Sequence, residues 1–226
     1  MEITALRGAP KPADILRGPI DRTTTMNGTF FYIGLGLGLA AACGLRPYLP
    51  ALLAGALGSA TALGVNFAHT DYHFLEAGWW LLAVAVTLVG VYLLQLRLGS
   101  ERFQALAGGA VTAQGLAVGA LLFAGTLAAH GDPSWPGLIG GFLAAGLAQR
   151  ASGPVITRAR ARLPDRAARE ALTVYLDAAS LLLAALVALL HPLGYVAVAL
   201  LAWFAWRGRA RGGDDRYAGL RILRRG

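Results

Sequence analysis

The chain has 226 residues, of which 56% are hydrophobic and 14% charged, and its formal net charge is +8. Its apolar residues fall in long blocks, so the composition predicts a polytopic membrane protein and excludes a soluble globular domain. The arginines cluster between and after these blocks, as the positive-inside bias requires, so we expect no nucleic-acid partner. The one cysteine, Cys43, excludes an intramolecular disulfide and a thiol cluster, and we predict neither a cofactor nor a metal site.

A polar tail, rich in proline and arginine, occupies residues 1–29. About 20 apolar residues cross a ~30 Å hydrocarbon core as a helix, and a helix satisfies its own backbone in lipid. We therefore predict an all-α transmembrane bundle. Its seven apolar segments are 30–46, 47–67, 78–98, 105–129, 136–150, 171–190 and 192–206.

Loop charges orient the segments. Loops 68–77 and 130–135 contain acidic and histidine residues but no Lys or Arg, whereas arginines are frequent near residue 100, between 150 and 169, and after 206. The bias places the basic regions inside, which predicts a multi-pass protein of the bacterial inner membrane with a cytoplasmic C-terminus. Segments one and two form either two crossings with an inner turn, or one crossing and a re-entrant half-helix.

Two similar stretches lie 104 residues apart. Arg46 and Arg150 each close a Gly/Ala-rich stretch and open an Arg-x-x-x-Pro motif. We interpret the pair as an internal repeat of three helices (30–98), a linker helix (105–129) and three helices (136–206). In this interpretation the helices are short or broken at both arginines, 151–170 is a basic cytoplasmic loop, and 207–226 is a basic cytoplasmic tail. Parallel-repeat transporters share this helix count.

Asp177 is the only acidic residue well within an apolar run. A carboxylate at that depth costs at least ~2.5–3.5 kcal/mol unless it is protonated or paired. Arg46 or Arg150 could pair with it, and Ser180 lies on the same helical face. A structural ion pair and a proton- or cation-coupling site are both open hypotheses.

The two arginines either extend to inner-leaflet phosphates or line a cavity that binds an anion or a carboxylate, with prolines opening the helices. The predicted substrate or path residues are Arg46, Pro47, Pro50, Arg150, Pro154, Asp177, Ser180 and Gln114. The residues predicted for lipid or partner docking are Arg158, Arg160, Arg162, Arg207, Arg209 and Arg211. The glycines predicted to allow close helix packing are Gly34, Gly38, Gly115, Gly119, Gly137 and Gly141.

The motif Ala-x-Gly-Leu-Arg-x-Tyr-Leu-Pro ends at Pro50, Gly78-Trp-Trp-Leu-Leu opens the third segment, and Tyr175-Leu-Asp177 opens a long apolar run. With these motifs the chain resembles the bacterial integral membrane family called domain of unknown function 4126, over residues 30–206. The resemblance implies that the third helix continues into an acidic residue and an Asp-Lys-x-Pro motif. This chain departs from that pattern and reads Val91-Tyr-Leu-Leu-Gln-Leu-Arg97-Leu-Gly-Ser-Glu101, so no role is based on the motif. The resemblance implies an architecture and no activity.

We expect a transporter, channel or flippase-like protein with its path between the two repeats. The alternative is a non-catalytic membrane subunit or scaffold that packs on a larger membrane complex. We expect no enzyme, because no Ser/His, paired-carboxylate or His-rich constellation occurs at membrane depth. The expected partners are the bilayer and its anionic inner-leaflet lipids, and a homo-oligomer or a larger membrane complex stays open.

Overall fold

The computed structural model describes residues 22–163 and 165–222, and within them the side chains of 28–99, 102–163, 165 and 167–208. These residues form seven α-helices and no strand, so the all-α prediction is confirmed. A 3-10 turn at His73–Glu76 lies between the second and third helices. The helices are α1 Arg22–Leu45, α2 Tyr48–Ser59, α3 Gly78–Leu98, α4 Ser100–Ala129, α5 Trp135–Arg162, α6 Arg166–Leu189 and α7 Leu193–Ile222.

Four helices in the described part of the chain are long and apolar enough to cross a membrane. They contain the spans Gly28–Leu45, Gly78–Leu98, Arg102–Ala129 and Ala167–Leu189. Their outer faces are apolar: Leu82 is 65% exposed and Leu106 is 75% exposed. Exposed apolar area of this extent is unfavourable in water and favourable in lipid, so the surface agrees with a bilayer environment.

Helix α1 is the centre of the bundle. It packs against α4, α5, α6 and α7. Leu35 and the run from Leu39 to Cys43 have no exposed surface. Small side chains in this run let the neighbouring backbones approach closely, which replaces the hydrophobic driving force that lipid cannot supply between helices.

The six glycines predicted for helix packing all lie at contacts between helices. A Cβ at Gly141 would be 2.6 Å from the backbone oxygen of Gly119, and one at Gly115 would be 2.9 Å from the backbone oxygen of Cys43. Both distances are too short for a side chain, so glycine is required if α4 is to keep its separation from α5 and α1. Of the others, Gly34 and Gly38 contact the corner between α6 and α7, and Gly137 of α5 contacts Ala124 of α4.

Helices α1 and α5, which carry the two Gly/Ala-rich stretches, run in the same direction. Tyr32 lies beside His130 near the start of both helices, and Gly44 packs on Ala145 further along. We call the end of the bundle that holds the α3–α4 and α5–α6 turns the basic end, after Arg97, Arg102, Arg158 and Arg162.

Helix α2 turns back from the basic end. Its 12 residues rise only about 18 Å, less than the ~30 Å hydrocarbon core. Beyond Ser59 the chain is largely non-helical, with Val65 and Phe67 fully buried, although the sequence predicted an apolar segment through residue 67. The half-length helix agrees with the re-entrant alternative. The loop after α2 nevertheless meets the start of α1 near His191, which agrees with the two-crossing alternative.

The break predicted at Arg150 does not occur. Helix α5 continues through Pro154 to Arg162, so the predicted basic loop 151–170 is mostly helical and only the short link around residues 163–165 separates α5 from α6. Pro154 removes one backbone hydrogen bond, which a membrane helix tolerates where neighbouring contacts support it.

The predicted repeat is therefore not matched at its two arginines, because α1 ends where α5 continues. The flanking helices also differ in their packing. Helix α3 packs on α2 and α4, whereas its counterpart α7 packs on α1 and α5. Of the predicted tails, residues 1–21 and 223–226 lie outside the described residues.

Candidate functional site at the α1–α2 break

The candidate site begins at the link between α1 and α2. Pro47 has no N–H and disfavours helical geometry in the residue before it, so α1 ends at Leu45 and Arg46 is non-helical. Pro47 itself has helical backbone angles, with φ −73° and ψ −34°, and is the N-cap of α2. The backbone N–H of Arg46 still donates to the Ala42 oxygen at 3.1 Å. The link is therefore tight, and it carries the Arg46 side chain away from the α1 axis.

Arg46 forms a buried salt bridge with Asp177 of α6. Arg46 Nε lies 3.3 Å from Asp177 Oδ1, and the two side chains are 13% and 8% exposed. The Tyr92 hydroxyl of α3 donates to Asp177 Oδ2. Both carboxylate oxygens therefore have partners, which offsets the cost of burying the charge. Helices α3 and α6 and the α1–α2 link therefore meet at this carboxylate.

A cavity of about 190 Å³ lies on the other side of Arg46. Water needs about 10–15 Å³ of such volume, so the cavity has room for on the order of ten water-sized groups. It lies between the α1–α2 link, the first turns of α4 and the last turns of α5. Its lining residues are Gly44, Leu45, Arg46, Pro47, Phe103, Gln104, Gly108, Val111, Thr112, Gln149, Ser152, Gly153, Ile156, Thr157 and Arg160.

Arg160 is the second guanidinium of the cavity, and its Nε is buried without a hydrogen-bond partner in the described part of the chain. About 20 residues of α5 suffice to cross the hydrocarbon core, so the turn that carries Arg160 projects beyond it. Loss of solvent, and then the positive charge of Arg46, lower the pKa of Arg160 from its usual value. The guanidinium stays charged at neutral pH, and the environment favours a nearby anion.

Arg150 is not part of this site. Its side chain is exposed and does not line the cavity, whereas its neighbour Gln149 does. The buried face of α5 contains Ala144, Ala148 and Ala151, and Arg150 lies on the opposite face with the exposed Pro154. The expectation that Arg46 and Arg150 face one cavity is corrected for this reason: the helix that continues past residue 150 turns Arg150 outward.

The other predicted path residues have structural contacts. The Ser180 hydroxyl, fully buried, donates to the backbone oxygen of Asp177 at 2.8 Å. Gln114 accepts a 2.6 Å hydrogen bond from the Tyr48 hydroxyl, in a separate apolar groove between α2, α3 and α4. Pro50 is buried within α2. None of these three residues lines the cavity at Arg46.

The residues predicted for docking divide into two groups. Arg158 and Arg162 are exposed at the basic end, and the Arg207 guanidinium lies over the Trp203 ring at 5.2 Å, whereas Arg160 faces the cavity. Arg209 and Arg211 fall outside the side chains that the structure describes. Among the described residues, no group of three or more His, Cys, Asp or Glu side chains could hold a metal ion.

Sequence reasoning missed Tyr92 and the position of Arg160. Gln149, Ile156 and Arg160 follow one helical face at spacings of seven and four residues. That signal depends on the helix continuing through Pro154, whereas a proline inside a helix is expected to break it. Tyr92 had a weaker signal, since it is simply a phenol within the apolar run of α3.

The fold and the site together define a polytopic α-helical bundle of the membrane type, with one buried ion pair at a broken helix. Residues 33–211 match the model of the family described as domain of unknown function (DUF4126). The chain belongs to that family, as its motifs predicted. Comparisons with curated proteins and with solved structures gave no significant match.

Proposed function

We propose that this protein transports a small charged solute, and that the Arg46–Asp177 pair is the gate of its path. The observation that carries the proposal is the double position of Arg46. Arg46 lines the cavity, and its guanidinium pairs with a buried carboxylate that does not line it. A solute anion that enters the cavity therefore competes directly with Asp177 for the same cation.

The backbone around Arg46 supports a gating role. Broken helices in transporters place charged groups and non-helical backbone at the binding site and supply a hinge. Here the link of Arg46 and Pro47 separates α1, at the centre of the bundle, from the half-length α2. When a solute replaces Asp177, the tie between this link and α6 is released, and α2 is free to tilt against α1. We assign no covalent chemistry to the site and propose no enzymatic activity.

The alternative is a scaffold for a larger membrane complex. Helix α3 favours it, because only 6% of its apolar span is buried within the chain and its free face could receive a partner helix. A scaffold does not need a cavity beside a buried ion pair, and the transporter proposal accounts for both. For this reason we rank transport first.

The test is flux in vesicles that contain the purified protein. Swelling is followed in isotonic potassium chloride, acetate and phosphate, with the ionophore valinomycin to carry potassium. We expect faster swelling than in protein-free vesicles for at least one salt. We expect about a tenfold loss, measured per folded molecule, in Arg46→Gln, because this change removes the cation that the anion binds. Arg102→Gln, an exposed change at the same end, is the control. Rates equal to empty vesicles in all salts, with co-purification of a second chain, would favour the scaffold.

We also propose an orientation. The positive-inside bias places the basic end in the cytoplasm of a bacterial cell, with the protein in the inner membrane. Single cysteines at the exposed positions Arg102 and Gly131, introduced in a Cys43→Ala background, test this with a membrane-impermeant maleimide. We expect labelling of the second in intact spheroplasts and of the first only after lysis. The reverse pattern would overturn the orientation.

A further inference from the structure

We infer that the cavity at the basic end is a phosphate-binding site whose ligands are the guanidiniums of Arg46 and Arg160. The inference deepens the proposed function, on which it rests for the role of the site, and it names the chemical class of the ligand. Phosphate groups occur both as free anions and in lipid headgroups. The proposed site would bind the phosphate group that these two sources share.

The charge balance of the cavity favours an anion. Two guanidiniums line it, and no acidic side chain occurs among the described residues of its lining. The carboxylate of Asp177, which does not line the cavity, is paired with Arg46 and accepts a hydrogen bond from Tyr92. Among the described side chains, one positive charge is therefore without a counter-ion inside a partly enclosed space, where the attraction for an anion is stronger than at an exposed surface.

Several polar side chains of the cavity lining already donate to backbone oxygens of the chain. The hydroxyl of Ser152 donates to the Ala148 oxygen, that of Thr157 donates to the Gly153 oxygen, and the Gln149 amide donates to the Thr112 oxygen. Arg160 Nε, by contrast, is buried and has no partner in the described residues. Guanidinium forks match the geometry of phosphate oxygens, so the unmet donors and the ligand class agree.

Helix α2 adds a smaller contribution in the same direction. Pro47, the N-cap of α2, lines the cavity, so the positive end of the α2 dipole lies at this region. The cavity volume of about 190 Å³ accommodates a phosphate group with a few waters. A phosphate that reaches Arg46 then takes the place of Asp177 as its partner.

The experiment measures binding without flux. Protein purified in a maltoside detergent, which contains no phosphate, is titrated with inorganic phosphate at constant ionic strength set by chloride. Thermal unfolding and calorimetry are followed. We expect saturable stabilisation of the wild type. Arg160→Gln should weaken binding about tenfold or more, because it removes charge-assisted hydrogen bonds. Arg102→Gln, one residue from the cavity-lining Phe103 but exposed, should bind like the wild type.

A second variant distinguishes loss of phosphate binding from loss of folding. Arg160→Glu puts a carboxylate beside Arg46, so the fold keeps a complementary charge while the anion site is lost. We expect this variant to unfold at a temperature close to that of the wild type and to show no response to phosphate. Equal phosphate responses in the wild type and both Arg160 variants would overturn the inference. A wild type that responds neither to inorganic phosphate nor to phosphatidylglycerol would also overturn it.

The two sources of phosphate are separated by adding phosphatidylglycerol to the same micelles. Protection by the lipid alone, lost in Arg160→Gln, identifies a headgroup site. Protection by inorganic phosphate identifies a free-anion site. Either result supports the inference. Binding without flux in vesicles would leave the site standing and refute only the transporter proposal. Flux in vesicles together with an unchanged phosphate affinity in Arg160→Gln would support the transporter proposal and refute the phosphate site.

Discussion

Replacing one member of the Arg46–Asp177 pair should cost much more than replacing both. At 3.3 Å the attraction is about 5 kcal/mol for an effective dielectric constant of 20, and it offsets the desolvation of both groups. Arg46→Met leaves a buried carboxylate with only the Tyr92 hydroxyl. Asp177→Leu leaves a buried guanidinium. We expect each single variant to lose about 3–5 kcal/mol in the free energy of unfolding.

The double variant removes both charges and fills the volume with apolar atoms. We therefore expect its stability to lie within about 2 kcal/mol of the wild type, which gives a coupling energy of about 4 kcal/mol or more. The assay is reversible unfolding in mixed micelles, followed by circular dichroism. Arg150→Met, which changes an exposed arginine in the same way, should change stability by at most about 0.5 kcal/mol. If the two single losses simply add in the double variant, the two charges do not interact and the description of the site is wrong.

Three further outcomes follow from the packing. Gly141→Ala should lose roughly 1–3 kcal/mol of unfolding free energy, because its Cβ would lie 2.6 Å from a backbone oxygen of α4, whereas Gly153→Ala on the same helix, with nothing within 4 Å, should be neutral or better. Tyr92→Phe should lose about 1.5–3 kcal/mol, since it removes a hydrogen bond to a charged group, whereas Tyr175→Phe, at an exposed tyrosine, should be neutral in the same unfolding assay. The Cys43 thiol, which has no exposed surface, should react with a maleimide only as the protein unfolds, and labelling of the native protein at the rate of a free thiol would contradict the central position of α1.

The need for a partner to Asp177 was predictable from hydropathy, because a charge within an apolar run must be paired. The identity of that partner was not. Arg46 and Arg150 have the same local motif, and each ends a Gly/Ala-rich stretch of similar length. Only the packing distinguishes them, because Arg46 lies on a link directed at α6 and Arg150 lies on the outer face of α5.

Proline illustrates the same limit. Pro47 ends α1, and Pro154 leaves α5 intact. Local rules describe the loss of an N–H and the restriction on the preceding residue, and both apply equally to the two positions. The free energy that decides between a break and a continued helix comes from the surrounding contacts. This is why the position of Arg160, which depends on the continued helix, could not be predicted.

The amino-acid sequence by itself determined that the helices of this protein are suited to lipid and that its fold class is all-α. Long apolar blocks must be helical in lipid, and arginines in the links must stay near its edges, because both rules concern single segments and the surrounding medium. The tertiary structure decided which charged side chains meet. Such meetings depend on the rotation and depth of one helix against another, and small residues such as Gly44 and Ala145 set those quantities through contacts between segments distant in the chain.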